Sequence, residues 1–174
     1  RWAAPSRKGS ADMSTRVRHE LRYDAPAAEV HAILTSSPFR EEVCQQLKVV
    51  RGAVTVEPVA TGTRVLIEQV QRAGGLPSIA TKLDGDTIQI VREETWTSTT
   101  HADVHVTIPH KPGEMVGSNE LVESAGSTTE IVELEVRVRV PLVGGKLEKL
   151  VADNLAKALR VEHTVGQEYL ARHA

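Results

Sequence analysis

The chain has almost no cysteine. Cys44 is the single one among 174 residues, so an intrachain disulfide is excluded, which is consistent with a reducing compartment. Aromatic residues are nearly as scarce, at 3%. Apart from Trp2 they are Tyr23, Phe39, Trp96 and Tyr169, too few and too scattered for the base-stacking platforms of single-strand nucleic-acid binders. An excess of one charge is missing as well. The 21 Lys and Arg against 23 Asp and Glu give a formal net charge of −2, which is no footprint for a polyanion. No nucleic-acid partner is therefore expected. The longest apolar runs are far too short to span a bilayer, and residues 1–12 lack the apolar centre of a secretory signal. A cytoplasmic protein without a transmembrane segment is the expectation.

Familiar chemical motifs are also absent. There is no GxxxxGK[ST], no GxGxxG and no GxSxG; Gly144-Gly145-Lys146 lacks the upstream glycine of a phosphate loop. No cofactor is expected. His101, Asp103 and His105 alternate and invite a metal reading. On a strand, however, residues four apart lie roughly 13 Å from each other, so the two imidazoles cannot share one ion. Ala102, Val104, Val106 and Ile108 claim the buried face, which places His105 outside, and no metal site is expected.

The chain length suits one domain with a substantial core. Residues 1–12 (RWAAPSRKGSAD) carry no pattern and read as a disordered upstream extension or cloning remnant, with a native basic arm as the alternative. Residues 13–174 read as one domain. In residues 15–23, Val17, His19, Leu21 and Tyr23 alternate with Arg16, Arg18, Glu20 and Arg22, the mark of a half-buried strand. Asp24 and Pro26 open a short helix with a Val30, Ile33, Leu34 stripe; Ser37-Pro38 breaks it, and a second short helical piece follows. KVVRGAVTVEP and TRVLIEQVQRA, joined by VATG, form a hairpin. LPSIATKL, after the Gly74-Gly75 hinge, is a short amphipathic piece and a candidate lid. Four more strands follow, DTIQIVREETW, ADVHVTI, EMVGSNELVES and TTEIVELEVRVRV, with connections short enough to make neighbours antiparallel.

The last segment, from Pro141 to about Arg172, dominates the layout. Val143, Leu147, Leu150, Val151, Asn154, Ala158, Val161, Val165 and Tyr169 recur at helical spacing. Lys146, Lys149, Asp153, Lys157, Arg160 and Gln167 fall on the other side. Gly144 and Gly145 give the chain room to turn, and Gly166 is a point where the last turns are expected to kink or fray. A helix of about 25 residues would be roughly 37 Å long and needs a large apolar partner, which the strands supply.

The first strand leading into DAPAAEVHAILT resembles the strand-to-helix junction of the START-like, polyketide-cyclase-like helix-grip (SRPBCC) superfamily. Leu76-Pro77, Gly85, EETW ending at Trp96, Pro112-Gly113 and above all PLVGGKLEKL resemble a bacterial family of unknown function within it. The resemblance implies an α+β helix-grip fold. In it a seven-stranded curved antiparallel sheet wraps a long C-terminal helix, with two short helices after the first strand and a cavity between sheet and helix. It also implies a hydrophobic small-molecule partner; the close family offers no catalytic residue to carry over.

Polar residues on faces otherwise apolar are the informative ones. His19 and Tyr23 lie on the first strand's inner face, Arg92 and Glu94 share a face with Ile88, Ile90 and Trp96, and Asn154 interrupts the helix stripe. These six, His19, Tyr23, Arg92, Glu94, Trp96 and Asn154, are the candidate cavity residues. Two readings stand side by side. Arg92 and Glu94 pair as a structural link while His19 and Asn154 are merely hydrogen-bonded, or they are polar handles that orient a ligand in an apolar pocket. The expected function is binding of a hydrophobic or amphipathic molecule, lipid or polyketide-like. The alternatives are a cyclase or dehydratase in the same cavity, with His19 or Glu94 as base beside Tyr23, and a protein-interaction domain with a closed core. The sequence sets no oligomeric state.

Overall fold

A computed structural model describes residues 14–72, 87–140 and 144–173. The candidate lid LPSIATKL, the Gly74-Gly75 hinge and the 1–12 extension lie outside them. Strand β1 (Thr15–Tyr23) leads through Asp24 to Pro26 into α1 (Ala27–Leu34) and α2 (Ser37–Gln46). Strands β2 (Arg51–Val59), β3 (Gly62–Arg72), β4 (Thr87–Trp96), β5 (His101–Thr107), β6 (Gly113–Ser124) and β7 (Ser127–Val138) follow, and α3 (Gly144–Arg172) closes the chain.

The strands form one antiparallel sheet of seven in the order β1-β7-β6-β5-β4-β3-β2. From β2 to β7 each strand pairs with its chain neighbour, as short connections dictate. The register of β1 on β7 sets His19 opposite Val132 and Tyr23 opposite Thr128. One face of the sheet carries Leu21, Val65, Ile67, Ile88, Val104 and Leu134, all buried, and it faces the helices. α3 packs against β1, β7 and α2. Its 29 residues make it about 44 Å long. Among the described residues no helix is long and apolar enough to cross a membrane.

Local chemistry fixes the helix ends. Pro26 is the N-cap of α1, and its carbonyl accepts the amides of Glu29 and Val30 at 3.0 and 3.1 Å. The Ala27 amide, which no helical carbonyl can reach, donates to Glu123 of β6 at 2.6 Å. Pro38 sits in the first turn of α2, where its missing N–H costs nothing.

α3 departs from its expected face in two ways. The buried residues are Leu147, Glu148, Leu155, Leu159, Glu162, Val165 and Gly166, a stripe rotated from the apolar pattern so that Asn154 is exposed. The rotation brings two carboxylates inward because each has donors waiting. Glu148 accepts the Val138 amide at 3.1 Å and the Thr15 hydroxyl at 3.0 Å. The partners of Glu162 belong to the site below. Nor do the glycines act as expected. Gly144 and Gly145 are the first residues of the helix, and α3 runs unbroken through Gly166. A Cβ at Gly166 would lie 2.8 Å from Tyr23 Cε1, so the missing side chain is what lets the Tyr23 ring pack on the helix.

This contact makes a paired prediction. Gly166→Ala forces the buried ring to shift and costs about 1–3 kcal/mol in urea unfolding despite alanine's better helix propensity. Gly145→Ala meets no atom within 4 Å and is neutral or slightly stabilising.

Candidate functional site

On β4, period-two alternation turns Ile88, Ile90, Arg92, Glu94 and Trp96 to the inner face. Glu94 is fully buried, as is Arg40 of α2, and Glu162 of α3 is nearly so. Arg40 donates from Nη2 to Glu94 Oε1 at 2.7 Å, from Nη1 to Glu162 Oε1 at 3.1 Å and from Nε to the Leu34 carbonyl at 2.8 Å. Arg92 donates from Nη1 to Glu162 Oε2 at 2.9 Å. Its Nη2 lies 2.5 Å from Glu94 Oε2, an ion pair off the hydrogen-bond axis. Trp96 Nε1 donates to Glu94 Oε1 at 3.1 Å. Two cations and two anions thus close a ring that joins α2, β4 and α3. Isolated, any one of them would carry a desolvation cost of several kcal/mol; together they sum to zero charge and share donors. Burial works against the charge on Glu162, but the Arg92 and Arg40 guanidiniums outweigh it and hold the carboxyl below its usual range. Burial likewise opposes the Arg92 charge, and Glu162 and Glu94 overcome it.

A second buried group adjoins the ring. Glu130 of β7 is fully buried; it accepts from Asn119 Nδ2 at 2.5 Å and sits at the 3.5 Å limit of a bond from the Tyr23 hydroxyl. No cation pairs with it among the described residues. Burial, then repulsion from Glu162, pushes its carboxyl up to about 7. The Tyr23 phenol is pushed well above its usual range by burial and by Glu130 and Glu162.

Beside the ring lies a cavity of about 280 Å³ between β3–β6 and the helices α2 and α3. Its walls are apolar, with Ile67, Ile88, Ile90, Val106, Met115 and Leu155 among them. Arg40, Arg92 and Glu162 line its buried end, and Arg72, Asn154 and Lys157 line its exposed rim.

The structure divides the six candidates. Arg92 and Asn154 line the cavity, Asn154 from the rim. Glu94 belongs to the ring and Trp96 donates to it, and neither is among the cavity's lining residues. Tyr23 is buried beside Glu130, and His19 is half-buried on β1; neither is among the lining residues. His19, Tyr23, Glu94 and Trp96 are thus not among the residues that line this cavity. Sequence reasoning missed Arg40, Glu162, Glu130 and Asn119. Glu130 and Asn119 were within reach of strand alternation, lying in step with Val132 and Leu121. Glu162 follows Leu155 by seven and Leu159 by three, on the helical period. Nothing in the sequence marks Arg40. Among the described residues no group of three or more His, Cys, Asp or Glu is placed to hold a metal. His101 bonds instead to Glu120 and Asp103, and His105 to Glu114 at 2.9 Å.

Residues 18–170 match the model of a family described as "Protein of unknown function (DUF2505)", and the chain belongs to that family. It is 24% identical over 154 residues to an uncharacterized protein of Mycobacterium tuberculosis, covering 80% of this chain and 87% of the relative. The fold is shared with the Zhui aromatase/cyclase from Streptomyces sp. (TM-score 0.66, 9% identity, 91% of this chain and 94% of that chain). It is shared also with a START superfamily protein from Mycobacterium smegmatis (TM-score 0.53, 17% identity, 86% of this chain and 98% of that chain). The architecture is START-like.

Two predictions come from the buried charges. Arg40→Met leaves two buried carboxylates short of a cation and costs about 3–5 kcal/mol in denaturant unfolding. Glu130 has the opposite logic. Its folded value of about 7 lies above the ordinary 4.5, so between them the folded protein keeps a proton the unfolded chain has released. Its contribution is whole below pH 4.5, falls as pH rises to about 7 and is flat beyond. Glu130→Gln removes that fall. The stability of the variant relative to wild type should therefore rise by on the order of 3 kcal/mol from pH ~4 to pH ~8 in paired urea melts.

Proposed function

We propose that this protein binds a hydrophobic or amphipathic small molecule, lipid or polyketide-like, in the cavity between the sheet and α3. The observation that carries this is an apolar cavity whose buried end is a charge-balanced polar ring. Apolar walls supply affinity at roughly 25 cal/mol per Å² removed from water, and a few fixed donors orient the ligand. Arg92 and Asn154, already singled out, are the candidate contacts, joined by Arg40. The fold shared with a START superfamily protein and an aromatase/cyclase lends support.

A cyclase or dehydratase would need a proton-active group facing the cavity. Glu162 is held ionised by two arginines, and Glu94 is enclosed by Arg40, Arg92 and Trp96. Burial pushes the Cys44 thiol up, away from the reactive thiolate. These arrangements favour binding over catalysis, and an open cavity disfavours the closed-core interaction domain.

The test is uptake of an apolar fluorescent probe and its displacement by amphiphiles, beside native mass spectrometry for co-purified ligand. Ala158 lines the cavity from α3. Ala158→Phe fills it and should weaken probe binding ~10-fold or more, with the far-ultraviolet dichroism unchanged. If the wild-type protein takes up no apolar probe and carries no adduct, the binding reading is wrong.

A further inference from the structure

The two ends of the cavity differ in a way that specifies the ligand further, provided the cavity is a binding site. At the buried end, Arg92 donates one of its five N–H groups to Glu162 and faces Glu94 only as an ion pair, and its side chain keeps 16% exposure. A donor with spare capacity therefore faces the cavity. Its positive charge is already matched: Arg40 and Arg92 stand against Glu94 and Glu162. A ligand carboxylate placed there would add an uncompensated anion beside two buried carboxylates, which is strongly disfavoured in a low-dielectric interior. An uncharged acceptor, a carbonyl or hydroxyl oxygen, meets the donor without that penalty.

The rim is the reverse. Its charged lining residues are Arg72 and Lys157, both exposed, with no carboxylate among the described rim residues to pair with them. Asn154 adds a neutral polar group. The glutamines just inside are neutral and occupied with each other and with Cys44: Gln71 donates to Gln69 at 2.7 Å, and Gln69 to the thiol at 3.3 Å. Between the ends the walls are Ile67, Ile88, Ile90, Val106, Met115 and Leu155.

We propose that the ligand is polar at both ends and apolar between: an uncharged oxygen acceptor seated on Arg92 and an anionic group held at the rim by Arg72 and Lys157. A simple fatty acid satisfies the rim alone, and a simple alcohol the buried end alone.

The probes are ω-hydroxydecanoic acid, its methyl ester, decanoic acid and decanol, titrated calorimetrically into the full chain. The hydroxy acid is expected to bind about 10-fold or more tightly than decanoic acid and than its own ester. The rim is tested in an Arg72→Gln, Lys157→Gln double variant, whose changes are on exposed side chains and leave the fold intact. There the acid should lose its advantage over the ester, while decanol binding stays as in wild type. Arg92→Lys keeps the charge but loses the fork, and should erase the advantage of the hydroxy acid over decanoic acid. If the four probes bind equally, the two-ended ligand is wrong while the cavity reading stands. If the double variant leaves the acid's advantage untouched, the rim assignment is wrong. If neither these probes nor an apolar dye binds, the binding reading itself fails.

Discussion

The ring formed by Arg40, Glu94, Arg92 and Glu162 is the constraint on which the interior depends. Its residues come from three elements that sequence separates widely, Arg92 and Glu94 sharing β4, and each carries a charge that could not be buried alone. The ring forms only when α2, β4 and α3 are all in place, and then it fixes the face that α3 turns to the sheet. The rotation of α3 away from its purely apolar stripe is the visible result. Where aliphatic side chains would interdigitate, four long charged side chains meet end to end, and the cavity opens beside them.

The ring also divides the interior electrostatically. On the cavity side it offers donors without net charge. On the β7 side lies Glu130, a carboxyl with only neutral partners and with the Glu162 carboxylate nearby, so its proton is retained up to about pH 7. Tyr23 joins the two regions: its hydroxyl meets Glu130 and its ring lies against Gly166. The functional reading draws on the same facts. A cavity whose buried-end charges are locked in pairs is suited to hold and orient a molecule, and poorly suited to move protons on it.

At 9% identity to an aromatase/cyclase, what the two chains share is the fold, which in this chain rests on alternation along seven strands and one long amphipathic helix. Those patterns set a fold and leave the chemistry to individual side chains. The polar groups of this site must therefore be read from this chain, and the family, being of unknown function, supplies no assignment for them.

The strand and helix order was legible from periodicity, because side chains on strands alternate and those on helices recur every three or four residues whatever they pack against. The inward direction of Arg92 and Glu94 followed from the same rule, applied to a strand with Ile88 and Trp96 on one face. Glu130 and Asn119 obeyed it too, but a polar residue in an apolar row becomes significant only when its partner is known. Arg40 had no such pattern. It lies in a short, mostly polar helix, and its burial depends on carboxylates 54 and 122 residues away in the chain. Gly166 looked like a weakness because helix propensity is local, whereas its role is set by a ring from β1. The sequence by itself determined which segments would be strands and helices and which faces would be apolar. Tertiary structure alone decided which charges share the interior, because ion pairing acts across space and is blind to distance along the chain.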